Sequence, residues 1–448
     1  MSNNTLESLG YTQELSRTLK LRDLVIYGLI FIVPIAPFGI FGYVMSASGG
    51  MIVTAYVIGL VGMLFTAVSY SQMAKEFPIA GSVYSYVSRG TNGFVGFMAG
   101  WIMLLDYILI PALLYVVGAL AIHDIFPSLS PLVLIVAFVL FNTYINIRGI
   151  SFTAAFNRWM LIVELIVLAI FLIVGVVAIS NNVNGAVFSI APVYDADNFS
   201  LGLIISAVPI AVLSFLGFDG ISTLAEEAKG GGRDVSRAIF LVLLIIGGLF
   251  IAQTWIAALI QPDPTQFDNL DTAFYETAGL AGGEWLAILT AATTAIAWGI
   301  ADSLVAQIAT ARILYSMGRD RLLPEPLSRV HSRFKTPYVS TLLVGAISIV
   351  VGIAFMHYLA LLTSIVTIGA LTAFIVLNVS TLYYFVFKKR AANIFLHIVC
   401  PLLGLAVVGY IWSGFEYYTI LIGLGWTIIG VALYAIAQRR GRSVNMEI

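Results

Sequence analysis

Four carboxylic acids stand in stretches of this chain that otherwise read as hydrocarbon. Asp106 lies in "LLDYIL", Glu164 in "LIVELIVL", Asp219 in "FLGFDG" and Asp302 in "WGIADSL", with no lysine or arginine inside those runs. A charge at such depth costs on the order of 3 kcal/mol on insertion scales, so each acid is a functional candidate by default. Acids without bases have three options: to be protonated and neutral, to hold a cationic solute, or to hold a coupling ion. All three concern traffic in protons or positive charge. The plainer alternative is that an acid beside a glycine or tyrosine caps or braces a broken segment, and it applies to Asp106 and Asp219. Glu164 has only apolar neighbours and is expected to carry a proton or cation. Phe38, Phe41, Tyr107, Phe215, Phe218 and Trp298 lie near the acids or near the helix breaks described below, where a ring could face a cation. Tyr107 and Phe215 are the stronger candidates. The sequence shows no phosphate-binding glycine loop, metal-ligand cluster or nucleophile–base pair, so no cofactor and no enzymatic activity are expected.

The elements that must position these acids follow from composition. The 448 residues are 60% hydrophobic and 10% charged, with a mean hydropathy of +1.00. A soluble domain could not bury that much apolar surface. A span needs about 20 apolar residues, and such runs fall at 23–47, 51–75, 94–121, 131–147, 158–180, 201–227, 237–260, 284–311, 338–356, 359–386, 394–413 and 416–437. They are too long and unbroken for barrel strands, so an all-α membrane protein of twelve spans is predicted. With twelve spans, all 22 Lys and Arg fall on one side, which the positive-inside rule makes cytoplasmic, with both termini inside. The chain is then expected in the inner membrane of the cell. The opposite loops hold His123, Asp124, Asp195, Asp197, Asp263, Asp268, Asp271, Glu276, Glu284 and Glu416. Such a face could draw in cations; the plainer alternative is exclusion of Lys and Arg by the insertion rule. The polar first twenty residues do not read as a signal peptide. A short interfacial helix is predicted within "EFPIAGSVYSYVSRGTNGFVG". The single cysteine, Cys400, permits no intramolecular disulfide and reads as a buried thiol.

Two spans are interrupted. "VPIAPFGIFG" runs from Val33 to Gly42, and "VPIAVLSFLGFDG" from Val208 to Gly220. Proline removes a backbone donor and clashes with the preceding turn, while glycine turns without a Cβ penalty. Irregular backbone at membrane depth is tolerated where it faces protein or a wet cavity, and an unwound helix presents half-helix ends to ions. Paired breaks in spans 1 and 6 predict a five-plus-five inverted repeat with a transport site at the breaks and two further helices. The expected organisation is a cytoplasmic segment 1–22, a first repeat 23–180, a second repeat 201–386, spans 11 and 12 at 394–437, and a cytoplasmic tail 438–448. The shared "VPIA" is read as chance, because the proline-to-glycine spacing differs between the copies.

At these residues the chain resembles the amino acid–polyamine–organocation (APC) superfamily. The similarity is carried by "FLGFDGISTLAEEAK" from Phe215, "RILYSMGRDRLLP" from Arg312, "FPIAGSVYSY" from Phe77 and "GWIMLLDYILIP" from Gly100. Within it the chain is most similar to bacterial putrescine-importer-like permeases, through "HSRFKTP", "IGALTAFIVLNVS" and "PDPTQFD". The resemblance implies the inverted-repeat fold, proton coupling, and a substrate held at Ala36, Pro37, Phe38 and Gly39 with Phe215, Gly217, Phe218 and Asp219. Tyr107 stands where that branch has a substrate-associated tyrosine, and Glu164 occupies a cation-site-like position. The chain departs from the branch in two places. Gly39 replaces an acid in the first break, and Asp302 replaces a small polar residue in span 8. A glycine break with free amides would suit an α-carboxylate, whereas the acids would suit an ammonium group. The expected activity is therefore import of a small amine-bearing metabolite, an amino acid or a polyamine such as putrescine, by alternating access. A proton, or alternatively sodium, would be the coupling ion, with Glu164 and Asp106 as the expected coupling-ion residues and Asp302 as an alternative proton carrier. Substrate exchange, a channel or a non-transporting sensor are the alternatives.

Overall fold

The computed structural model describes residues 18–79, 81–148, 150–196, 199–225, 227–319, 323–334, 336–391 and 393–439. The readings on Arg17, Asp197, Glu226, Arg321, Lys335, Arg440 and Arg442 lie outside the described residues, as do 1–17 and 440–448. So do those on the side chains of Arg319 and Arg439.

Among the described residues, twelve helices are long and apolar enough to cross a membrane. In order they are Leu21–Gly39, Ile52–Glu76, Gly93–Ile125, Pro131–Arg148, Arg158–Ser180, Leu201–Leu224, Gly232–Ile260, Glu284–Tyr315, Tyr338–Phe355, Leu359–Lys388, Ile394–Trp412 and Tyr417–Ile436, here spans 1–12. The chain is an all-α polytopic membrane protein. Among the described residues no strand forms, and the one β-bridge joins Leu19 to Ala228.

The packing displays the inverted repeat. Under an exchange of each span with the fifth after it, contacts should occur in matched pairs, and they do. Span 1 packs on span 7 as span 6 packs on span 2. Span 3 meets spans 9 and 10 as span 8 meets spans 4 and 5, while the pairs 2·7 and 3·8 are their own partners. The short helix expected between spans 2 and 3 is Ser82–Gly90. Its inverted counterpart, Ala273–Gly282 between spans 7 and 8, was not foreseen from the sequence. The first rests on spans 3 and 10, the second on spans 8 and 5. Spans 11 and 12 stand outside this arrangement. Span 12 is pinned to span 3 by stacking of Trp101 and Trp426, whose ring centroids lie 4.5 Å apart and whose indole N–H groups each donate to the other's carbonyl at 2.8 Å. Gly430 makes room for the Trp101 ring. Cys400 is buried, as expected.

The loops between spans gather at two ends. At one, Leu19 pairs through its backbone with Glu227 and Lys229, Glu76 binds Lys389 at 2.5 Å, and Thr336 donates to the Ile147 carbonyl. These join the basic loops into one face. At the other end, Tyr43 donates to Asp271 at 2.5 Å, Val53 N–H to the Pro192 carbonyl, and Asn184 to the Ile260 carbonyl. This is the acidic face.

Candidate functional site

Both breaks form, but with different chemistry. In span 1 the α-helix ends at Ile32, and Val33 takes φ 60°, a left-handed conformation that is strained for a β-branched residue. A short 3-10 segment, Ala36–Gly39, then leads to the helix Phe41–Ala47. The carbonyl of Pro34, left without an intrahelical donor, is taken up by Gln253 of span 7, whose Nε2 donates to it at 3.0 Å. Gln253 is fully buried, and its Oε1 has no partner. Sequence reading missed it because a lone glutamine in an apolar run carries no pattern. In span 6 the expected role of Pro209 is corrected: it sits inside the helix Leu201–Leu213 without ending it. The break comes later, at residues 214–217, where Gly217 reaches φ 106° with Phe31 of span 1 packed against it. The two "VPIA" copies therefore adopt different structures, which agrees with their being coincidental.

A third irregularity lies in span 8, where a π-turn covers Ala297–Asp302. A π-turn lengthens the hydrogen-bonded ring and frees carbonyls, and such turns frequently mark functional sites. Here Asn142 of span 4 collects them: its Nδ2 faces the carbonyls of Gly299 at 3.3 Å and Ile300 at 3.2 Å, and Ser303 Oγ at 2.7 Å. Gly118 of span 3 abuts Gly299 so closely that a Cβ on Gly118 would lie 2.7 Å from the Gly299 Cα. The turn is thus clamped from two sides, and it aims Trp298 and Asp302 inward.

A cavity of about 30 Å³ lies where these three irregular segments meet. Span 1 contributes Ile32, Val33 and Ala36, span 6 contributes Ser214 and Leu216, and span 8 contributes Trp298 and Asp302. Ile110, Leu113 and Leu114 of span 3 close it. That volume holds a water molecule or two. Asp302 is the one ionisable group in the described lining. One of its carboxyl oxygens, and the indole N–H of Trp298, are buried without partners. Glu164 of span 5 is buried within electrostatic reach of Asp302 and also keeps one oxygen unpaired.

The four acids therefore fall into two groups. Asp302 lines the cavity, with Glu164 outside the lining but within electrostatic reach of it. Asp106 and Asp219 lie together elsewhere, and Tyr107 donates to Asp219 Oδ2 at 2.9 Å. Asp219 also lies in reach of the amides of Gly217 and its own residue, the bracing geometry that the sequence allowed. Of the residues singled out in the sequence, Ala36 and Asp302 line the cavity. Gly39 lies behind Trp298 and Val117, so a side chain there would meet the indole. Phe38 stacks on Phe274 at 3.8 Å, with Phe41 and Phe171 beside them. Phe215 packs with Tyr56 and Phe250, and Phe218 with Tyr70 and Phe374. These phenylalanines are aromatic core around the breaks. Pro37 is buried within the 3-10 segment. Among the described residues no group of His, Cys, Asp and Glu could hold a metal ion.

Comparison with known proteins gives the family. A profile described as "Amino acid permease" matches residues 24–439. The low-affinity putrescine importer PlaP of Escherichia coli K12 is 33% identical over 439 residues, covering 96% of this chain and 95% of the relative. The branched-chain amino acid permease BcaP of Bacillus subtilis is 27% identical over 97% and 95% of the two chains. The methylthioribose transporter of the same organism is 24% identical over 98% and 97%. Twelve spans, an inverted repeat broken in spans 1 and 6, and a profile match along almost the whole length identify this chain as a member of the amino acid permease family within the APC superfamily, a transporter and not an enzyme.

Proposed function

We propose that this permease is a secondary active importer of a small amine-bearing metabolite, working by alternating access in the cytoplasmic membrane with its basic face inside. One observation carries the reading: the cavity at the meeting point of the three irregular segments presents a single carboxyl, Asp302, with an unpartnered oxygen and no base in its lining. A carboxylate so placed suits an ammonium group, which supplies both charge and donors. The aromatic wall of Trp298 and Phe31 suits the alkyl part of the ligand and offers a cation a ring face. In this reading Glu164, within electrostatic reach of Asp302, exchanges a proton as the amine arrives and leaves, and the coupling ion is a proton. The similarity to a putrescine importer and to a branched-chain amino acid permease supports the same class, with a diamine or an amino acid as cargo.

Uptake of labelled putrescine and of labelled leucine into proteoliposomes tests this. Saturable accumulation of at least one of them, abolished by a protonophore, is expected. Uptake that is linear in concentration, or indifferent to collapse of both proton and sodium gradients, would overturn it.

A further inference from the structure

A second group of buried polar atoms lies outside the cavity. Asp106 and Tyr107 project from span 3, Asp219 and Ser222 from span 6, Tyr70 from span 2, and Tyr86 from the helix Ser82–Gly90. Each is at most 4% exposed. Tyr70 stands within electrostatic reach of Asp106, Asp219 and Tyr86, and its ring meets that of Tyr86 at 6.3 Å. The Tyr86 hydroxyl approaches Ser222, yet the two make no aligned hydrogen bond. The result is a convergence of unsatisfied oxygens: Asp106 Oδ1, Tyr70 Oη, Tyr86 Oη and Ser222 Oγ are all buried without partners. Native proteins pair nearly all such atoms, and exceptions mark an unseen water, ion or ligand. Ser82, at the foot of the same short helix, brings its hydroxyl close to that of Tyr70, again without an aligned hydrogen bond, and holds φ 49°, a conformation that side-chain-bearing residues avoid.

We propose that this cluster is a second binding station, for a primary ammonium group, on the basic side of the cavity. Its place follows from the helices. Ile110, Leu113 and Leu114 line the cavity, and Asp106 and Tyr107 lie one to two turns nearer the basic end of span 3. The Ser82–Gly90 helix, which supplies Tyr86, joins two spans at that same end. Its chemistry follows from the atoms. Carboxylate and hydroxyl oxygens converge, no Lys or Arg is among them, and an –NH3+ group with three donors needs three acceptors. Asp219 is already engaged by Tyr107, so Asp106 supplies the free charge, and Tyr70, Tyr86 and Ser222 supply the acceptors. The ammonium of a solute leaving Asp302 toward the basic face would meet this station next. The proposal rests on the amine reading only for the origin of the ligand.

The test is equilibrium binding of labelled methylammonium, and separately of putrescine, to the purified full-length protein. Methylammonium is expected to bind Asp302→Asn protein at a site that Asp106→Asn removes. Tyr70→Phe and Ser222→Ala, which keep the packing, are each expected to weaken that site roughly tenfold, the loss of one hydrogen bond to a charged group. Thermal melting checks that each variant is folded. Complete loss of methylammonium binding in Asp302→Asn overturns the second station and leaves the cavity intact as the amine site. Unchanged affinity in both Tyr70→Phe and Ser222→Ala overturns it in favour of ordered water. Displacement by sodium chloride at concentrations where methylammonium itself competes overturns it in favour of an alkali-cation site. If putrescine binds neither wild type nor any variant while methylammonium binds as expected, the station stands and the substrate class proposed above falls.

Discussion

At the scale of the residue, the two carboxyls at the cavity make separable predictions. If Asp302 meets the amine, Asp302→Asn should lower the apparent affinity for amine-bearing cations by ~10–100-fold, the loss of a charge-assisted hydrogen bond. Zwitterionic amino acids, whose carboxylate can find the backbone of the first break, should lose less. Competition of labelled uptake across both classes checks this, and an unchanged ranking places the amine elsewhere. Glu164 touches the cavity only through Asp302. Glu164→Gln should therefore abolish proton-driven accumulation while sparing exchange of labelled for unlabelled substrate across the membrane. Equal loss of both in proteoliposomes would show that Glu164 helps to hold the cargo. Gly39 belongs at this scale too. Its missing side chain leaves space for the Trp298 indole, so Gly39→Ala should push that ring toward the cavity and weaken binding without unfolding the protein.

At the scale of the element, irregular backbone persists because particular side chains complete its hydrogen bonds. Asn142 serves the π-turn of span 8, and Gln253 serves the break of span 1. Asn142→Leu should cost ~1–3 kcal/mol, the penalty for leaving buried polar groups unsatisfied, read as a lower melting temperature of the purified protein. It should also weaken substrate binding, because Asp302 closes the same turn. Asn146→Leu provides the contrast. Asn146 bonds the Leu304 carbonyl and Gln307, beyond the turn, so its loss should destabilise the protein with little effect on affinity. If both variants bind equally poorly, the π-turn is not what positions Asp302.

At the scale of the whole molecule, the inverted repeat gives each face its own short helix, and each helix closes on a broken span. On the acidic face the helix Ala273–Gly282 presents Phe274 to Phe38 and Phe171, and the loop before it ties Asp271 to Tyr43. On the basic face the helix Ser82–Gly90, which carries Tyr86, packs against the Phe218–Leu224 segment of span 6. Sidedness follows from the placement of charge and is checked directly. In a Cys400→Ala background, cysteine at Tyr418, which is 70% exposed in the first turn of span 12 at the acidic face, should react with an impermeant maleimide in intact cells. Cysteine at Lys388, exposed at the basic end of span 10, should react only after permeabilisation. The reverse pattern would invert the proposed orientation.

The sequence by itself determined the class, the number of spans and the places where two of them break. Those properties depend on local quantities: run length against bilayer thickness, loop charge, and the backbone limits of proline and glycine. It also exposed the four acids, because a charge inside hydrocarbon is legible wherever it stands. Only the tertiary structure decided which acids share a site, since Glu164 and Asp302, or Asp106 and Asp219, are brought together by helices far apart in the chain. It also decided that Pro209 would stay helical, that span 8 would carry a π-turn, and that Asn142 and Gln253 would satisfy the backbone so exposed. The reason is physical: a polar side chain on one helix acquires its role from the unpaired carbonyl on another, and that pairing has no trace in the spacing of residues along the chain.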